Sequence, residues 1–127
     1  MEDRRTTKVR RDDSAAPGAV VYRFEGSLGE GADCGFLLHE MREQLRSGPP
    51  RVVVSLAGCE YLTSVGVGFL ASCYATARNA GRTLVLADVP RQARRVLDLT
   101  GLGDVIPRYA TVPDALASSG DRRSLAV

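Results

Sequence analysis

The stretch Val52-Val53-Val54-Ser55-Leu56-Ala57-Gly58-Cys59-Glu60-Tyr61-Leu62-Thr63-Ser64-Val65-Gly66-Val67-Gly68-Phe69-Leu70 carries the transition on which the fold turns. Arg51 to Leu56 is short and almost continuously apolar, the pattern of a parallel strand covered on both faces. Ala57-Gly58-Cys59-Glu60 reads as the turn that leaves it. Gly66, Leu70, Cys73 and Ala77 then recur at helical spacing, with Phe69 beside them, so a helix is expected to begin near Ser64. Two adjacent hydroxyls, Thr63 and Ser64, thus stand where a loop becomes a helix. The free N–H groups and positive dipole end of a first turn stabilise a hydroxyl oxygen and would stabilise a phosphate more.

Working outward, the remaining elements alternate. Residues 1–18 begin with dense mixed charge and end in the turn-forming Ser14-Ala15-Ala16-Pro17-Gly18, so they are expected to form a charged arm or an edge strand. Val20, Tyr22 and Phe24 alternate with Val21, Arg23 and Glu25, which predicts a sheet-edge strand over 19–25 with one face less buried. A loop, Gly26 to Gly31, leads to an amphipathic helix with Cys34, Leu37, Leu38, Met41 and Leu45 inward and His39, Glu40, Arg42, Glu43 and Arg46 outward, stopped by Ser47-Gly48-Pro49-Pro50. After the Ser64 helix, Gly81 sits where a left-handed C-cap costs little, and Arg82 to Ala87 is a second continuous apolar strand. Pro90 opens the next helix and Thr100-Gly101 closes it, with Ala93, Val96, Leu97 and Thr100 inward and Arg91, Arg94, Arg95 and Asp98 outward. Asp104 to Tyr109 contains Pro107 and so reads as an edge strand, and Val112 to Ala117 as a last helical turn or two. Alternating strands and helices predict one α/β domain over 19–117, a mainly parallel mixed sheet of four to five strands with interspersed helices, followed by a tail over 118–127.

Composition narrows the function classes. With 127 residues the chain has room for one module and too little for separate cofactor and substrate domains. Its 17 basic and 15 acidic residues are interspersed, for a net charge of +2, and Arg4-Arg5, Arg10-Arg11 and Arg122-Arg123 have acidic neighbours and no interleaved aromatics, which argues against nucleic acid as a partner. The charged start lacks an apolar leader core, and no apolar run approaches the roughly 18 residues of a membrane span, so a cytoplasmic protein without a membrane partner is expected. Cys34, Cys59 and Cys73 fit neither a disulfide framework nor a metal knuckle, and neither a metal nor another cofactor is expected.

Two catalytic readings fail on spacing. Gly66-x-Gly68-x-x-Ala71, with Asp88 after the next strand, matches a dinucleotide fingerprint, but that motif needs its first glycine directly after the strand. Here Ala57 through Val65 intervene, which puts both glycines inside the helix, where they would thin it for close packing on the sheet. A serine hydrolase would need a base near Ser64; His39, the single histidine, projects from the polar face of another helix, and no nucleophile elbow surrounds the serine. No catalytic residue is assigned. For Thr63 and Ser64 two readings stay open: one caps the helix and the other satisfies the loop, or the pair forms an anion or modification site.

From about Ala19 to Leu116 the sequence resembles the STAS domain of anti-sigma factor antagonists. The matching segments are Gly26-Ser27-Leu28, Val52 to Gly58 leading to Tyr61 through Gly68, Ala80-Gly81-Arg82-Thr83-Leu84-Val85-Leu86, and Val96-Leu97-Asp98-Leu99-Thr100-Gly101-Leu102, in the family's order and spacing. The resemblance implies a small cytoplasmic, non-enzymatic regulator of bacterial transcription. Its partner would be an anti-sigma factor of the histidine-kinase-like ATPase fold that is also a serine kinase. Ser64 matches the hydroxyl residue that this kinase phosphorylates; the unmodified form binds the kinase and displaces the sigma factor, and a serine phosphatase would reverse the modification. Where the family often has an acid before the phosphoacceptor this chain has Thr63, which becomes the alternative acceptor, and where it often has an acid after the Gly-x-Leu turn this chain has Gly29 followed by Glu30. Some members instead serve as unswitched scaffolds or regulatory appendages of signalling assemblies. Gly29, Glu30, Thr63, Ser64, Val65 and Gly66 are accordingly expected at the partner surface. Arg91, Arg94 and Arg95 are expected either to border it as a basic patch or to form a solvated helix face with an Arg94–Asp98 pair.

Overall fold

In the computed structural model, which describes residues 8–28 and 34–118, the apolar runs of the sequence lie side by side as strands of one sheet. Strands β1 (Lys8–Asp12), β2 (Ala19–Leu28), β3 (Arg51–Leu62), β4 (Thr83–Ala87) and β5 (Arg108–Tyr109) are ordered β1-β2-β3-β4-β5. The first pair is antiparallel and the other three are parallel. Helices α1 (Cys34–Ser47), α2 (Ser64–Asn79) and α3 (Arg91–Leu99) follow β2, β3 and β4, and α4 (Val112–Ala117) follows β5. The result is the expected α/β architecture with a five-stranded mixed sheet.

Side-chain alternation sorts the strands into two cores. Val20, Tyr22, Phe24, Val52, Val54, Leu56, Leu84 and Leu86 face the larger one, closed by Met41 and Leu45 of α1, Phe69, Leu70, Cys73 and Ala77 of α2, and Ala93 and Leu97 of α3. Phe24 and Phe69 meet edge to face at 5.8 Å. Val21, Val53, Val85 and Ala87 point the other way, against Val112 and Ala115 of α4. Arg51 secures that helix, its Nη1 donating to Ala115 O at 3.1 Å and to Ser118 Oγ at 2.6 Å.

The structure corrects the sequence reading at several points. β2 is not an edge strand: β1 pairs along its outer side, and Ala19 to Tyr22 are buried on both faces. The pairing of backbone groups holds β1 despite its high charge, and that charge suits an edge that must not pair further. The supposed turn Ala57–Glu60 is part of β3, and the supposed loop start Gly26-Ser27-Leu28 is part of β2. These two strands run on together to the Leu28–Leu62 pair, with register shifts between Arg23 and Glu25 and between Gly26 and Ser27. Gly58 permits this, because a Cβ there would come within 3.0 Å of Phe24 O. β5 is two residues long, not six; Gly101 at φ 81° ends α3, a 3₁₀ turn covers Leu102–Asp104, and residues 105–107 are irregular before the strand begins at Arg108. Thr100 is exposed rather than inward, and its Oγ1 donates back to Val96 O at 3.0 Å. Asp98 pairs with Arg108, Nη1 to Oδ1 at 3.2 Å, and not with Arg94. Gly81 behaves as expected, with φ 75° at the end of α2.

Candidate functional site

β3 pairs with β4 only as far as Ser55–Ala87, whereas β2 accompanies it to Leu62. The last residues of β3 therefore extend past the end of β4 and deliver Thr63 and Ser64 to one corner of the molecule. Leu62 is buried, and on this side its backbone groups find a side chain in place of a strand. Leu62 N donates to Gln92 Oε1 at 2.8 Å, and Gln92 Nε2 donates to Leu62 O at 3.1 Å. One amide of α3 thus completes the ladder where β4 has ended, which satisfies two groups that would otherwise be orphaned. It also fixes α3 to the chain one residue before Thr63.

At the turn itself the two hydroxyls have different work. Thr63 is extended (φ −94°, ψ 171°) and caps α2, its Oγ1 accepting from Gly66 N at 3.1 Å. The same hydroxyl donates to Leu28 O at 3.1 Å, and Thr63 N donates to that oxygen at 3.1 Å. Its proton and its facing lone pair are both committed. Ser64, the first residue of α2, is exposed, and no hydrogen bond from the described residues engages its hydroxyl. Thr63 is therefore the cap, and Ser64 presents a free oxygen at the positive end of a helix with no acidic residue in its first turn.

Around Ser64 the surface is apolar and low. Val65 is 59% exposed and Tyr61 52% exposed, both high for side chains of their size. The two glycines of the helix diverge from the expectation that both thin it for packing. A Cβ on Gly66 would collide with Leu28 O and Leu62 Cδ1, so this glycine does let α2 approach the end of β2. Gly68 has open space around its Cβ direction and lies one helical turn beyond Ser64 on the solvent side, leaving the serine unscreened. Gly29 and Glu30 lie outside the described residues.

Arg91, Arg94 and Arg95 are all exposed, but α3 divides them. At about 100° per residue, Arg95 and Leu99 lie on the flank of Gln92, toward the Ser64 corner, while Arg94 lies on the opposite flank. Leu99 is 80% exposed. Arg94 instead lines a cleft with Asp88, Val89, Arg108, Tyr109 and Ala110. The Gln92 contact escaped the sequence reading because a lone glutamine between arginines looks like part of a solvated face.

Cys59, buried beneath this corner on β3, has its thiol pushed above the ordinary value of 9.0 by burial, against the opposing effect of hydrogen bonding at the Leu28 and Tyr61 backbone. It lies in the core. His39 is exposed on α1, and no group of residues with metal-ligand character occurs among the described residues. No helix among them is long and apolar enough to cross a membrane.

The chain is similar to known proteins in sequence and fold. The family model described as Mlab, STAS domain, matches residues 15–107. An anti-sigma F factor antagonist of Paenibacillus polymyxa is 26% identical over 100 residues, covering 78% of this chain and 85% of the relative. The crystal structure of an anti-sigma factor antagonist from Mycobacterium paratuberculosis superposes with a TM-score of 0.76 at 26% identity, covering 95% of this chain and 100% of that one. The phosphorylated form of the Bacillus cell fate determinant SpoIIAA superposes with a TM-score of 0.67 at 17% identity, covering 86% and 96%, a likeness of fold.

Proposed function

Because the chain belongs to the STAS domain family, we propose that it is an anti-sigma factor antagonist: a cytoplasmic, non-enzymatic protein that docks on an anti-sigma factor with the histidine-kinase-like ATPase fold and is switched off when that partner phosphorylates Ser64. The names of the relatives in Paenibacillus polymyxa and Mycobacterium paratuberculosis support the first half of this reading. The observation that supports the second is the division of labour between the hydroxyls: Thr63 is used twice within the fold, while Ser64 is exposed and unengaged. Ser64 is therefore assigned as the acceptor in preference to Thr63.

The switch follows from charge. A phosphoserine adds roughly −1.5 to −2 charge at neutral pH. At the first position of α2 the modified chain gains from the helix dipole, so the fold tolerates the group. The same charge lies between Tyr61 and Val65, two exposed apolar side chains that a partner would bury, and desolvating it there opposes docking. Arg95, on the Gln92 flank of α3, would help steer an acidic partner toward this surface.

The test uses purified anti-sigma factors of the histidine-kinase-like fold from the same genome. Incubation with ATP should add one phosphate to the wild type by intact mass and none to Ser64→Ala. Calorimetry should show Ser64→Ala binding as the unmodified wild type does and Ser64→Asp binding much more weakly. If the wild type binds but gains no mass, and Ser64→Asp binds equally well, the protein is an unswitched scaffold of the same family.

A further inference from the structure

A cleft opens on the far flank of α3. It has a volume of about 400 Å³ and lies at the carboxyl ends of β4 and β5, where open α/β sheets place ligands. Arg94 enters from α3, Arg108 and Tyr109 from β5, and Asp88, Val89 and Ala110 from the adjoining turns. Its lining holds charge of both signs, two arginines and one aspartate. Arg94 makes no ion pair with any described residue. Arg108 is partly used: its buried Nη1 forms the ion pair with Asp98 Oδ1 at 3.2 Å but has no hydrogen-bond acceptor among the described residues. Buried N–H groups of this kind are costly, and a ligand oxygen would satisfy this one. Asp88 accepts from Ser55 Oγ at 3.2 Å through Oδ2. Asp88 also adopts φ 54°, a left-handed conformation uncommon outside glycine.

We propose that this cleft binds a free α-amino acid with an apolar side chain. Arg94 and Arg108 would take the carboxylate, Asp88 the ammonium, and Val89, Tyr109 and Ala110 the side chain. The lining carries charge of both signs, two arginines and Asp88, which suits a zwitterion whose carboxylate and ammonium are fixed a short distance apart. The cleft of about 430 Å³ between α1 and α2 differs in this respect, since it has Arg42 and Arg46 in its lining and no acid. The inference is independent of the role of Ser64.

Calorimetry on the intact protein with the twenty amino acids, inorganic phosphate, acetate and methylammonium tests it. At least one apolar amino acid should bind with a dissociation constant below about 1 mM, and acetate and methylammonium separately should bind more than about tenfold more weakly. Arg94→Ala and Asp88→Asn should each weaken binding about tenfold, the loss of one charge-assisted contact. Asparagine tolerates the left-handed backbone and keeps an acceptor for Ser55, so the second variant tests charge without unfolding the turn. Absence of saturable binding by any apolar amino acid, tighter binding of phosphate, or affinity unchanged in both variants would each overturn the proposal.

Discussion

Gln92→Ala removes a side chain that half-faces solvent, yet it should be among the more damaging substitutions in α3. Its amide makes two hydrogen bonds, of 2.8 and 3.1 Å, to the backbone of a residue that is 1% exposed. Deleting the amide leaves a buried N–H and a buried C=O without partners, at about 1 to 3 kcal/mol for each group that water cannot reach. Allowing partial hydration, the loss should be about 2 to 4 kcal/mol, or a urea midpoint lower by roughly 1 to 2 M. Gln92→Glu separates the two bonds. The ionised carboxylate still accepts from Leu62 N but faces Leu62 O with no proton to donate, so this variant should lose part of the stability at neutral pH. The protonated acid can donate, which raises the folded pKa of the introduced glutamate above its ordinary value of about 4.3. The restored stability is therefore full below that ordinary value and is lost as pH rises through the folded pKa. Urea unfolding at pH 3.5 to 7, with amide exchange at Leu62, measures both effects. A loss under about 0.5 kcal/mol for Gln92→Ala, with unchanged exchange at Leu62, would refute the surrogate-strand role.

Three further outcomes follow from the same geometry. Thr63→Ala should cost about 1 kcal/mol through loss of the cap, while Ser64→Ala should stay within about 0.5 kcal/mol; calorimetric melting decides, and equal losses would contradict the division of roles. Tyr22→Phe should raise stability by about 0.5 to 1 kcal/mol, because the hydroxyl is buried with no partner among the described residues while the ring contact with Arg11 is retained; a lower melting temperature would mean that the hydroxyl is satisfied in solution. Burial raises the Cys59 pKa, so its contribution to stability is full below the ordinary thiol value and is lost as pH rises through the folded value. Chemical denaturation between pH 7 and 10.5 should accordingly show a steeper alkaline decline in wild type than in Cys59→Ala, and parallel curves would rule out that linkage.

The parts of the fold legible in the sequence were those governed by periodicity and local chain chemistry. Val52 to Leu56 and Leu84 to Ala87 had to be covered on both faces, Gly81 had to end a helix, and the spacing of Gly66, Leu70, Cys73 and Ala77 set the buried face of α2. Errors arose where a neighbouring strand decided the matter. Ala57 to Glu60 has turn composition, but β2 alongside supplies its hydrogen bonds, and a partner strand is invisible in a local window. Lys8 to Asp12 carries too much charge to suggest burial and needs none, since it serves as an edge. At the site, the sequence located the hydroxyl pair but could not divide its duties, because which oxygen caps depends on the backbone of a single residue, Thr63 at ψ 171°. The Asp88 cleft joins residues from three elements and had no linear signature.

Leu28 O is where β2, the cap and α2 converge: it accepts from Thr63 N and Thr63 Oγ1, and Gly66 packs directly against it. The contacts that seat α2 on the end of β2 thus lie at 28, 63 and 66, with Gln92 and Leu62 tying in α3. Positions 61, 64, 65 and 68 stand above these contacts, exposed, and none has a side chain on which the corner depends. Duplicated copies of such a gene could therefore diverge in whom they recognise by changing the upper set alone, with no folding penalty to slow them. The inheritance of shape and the inheritance of acquaintance are written in separate residues.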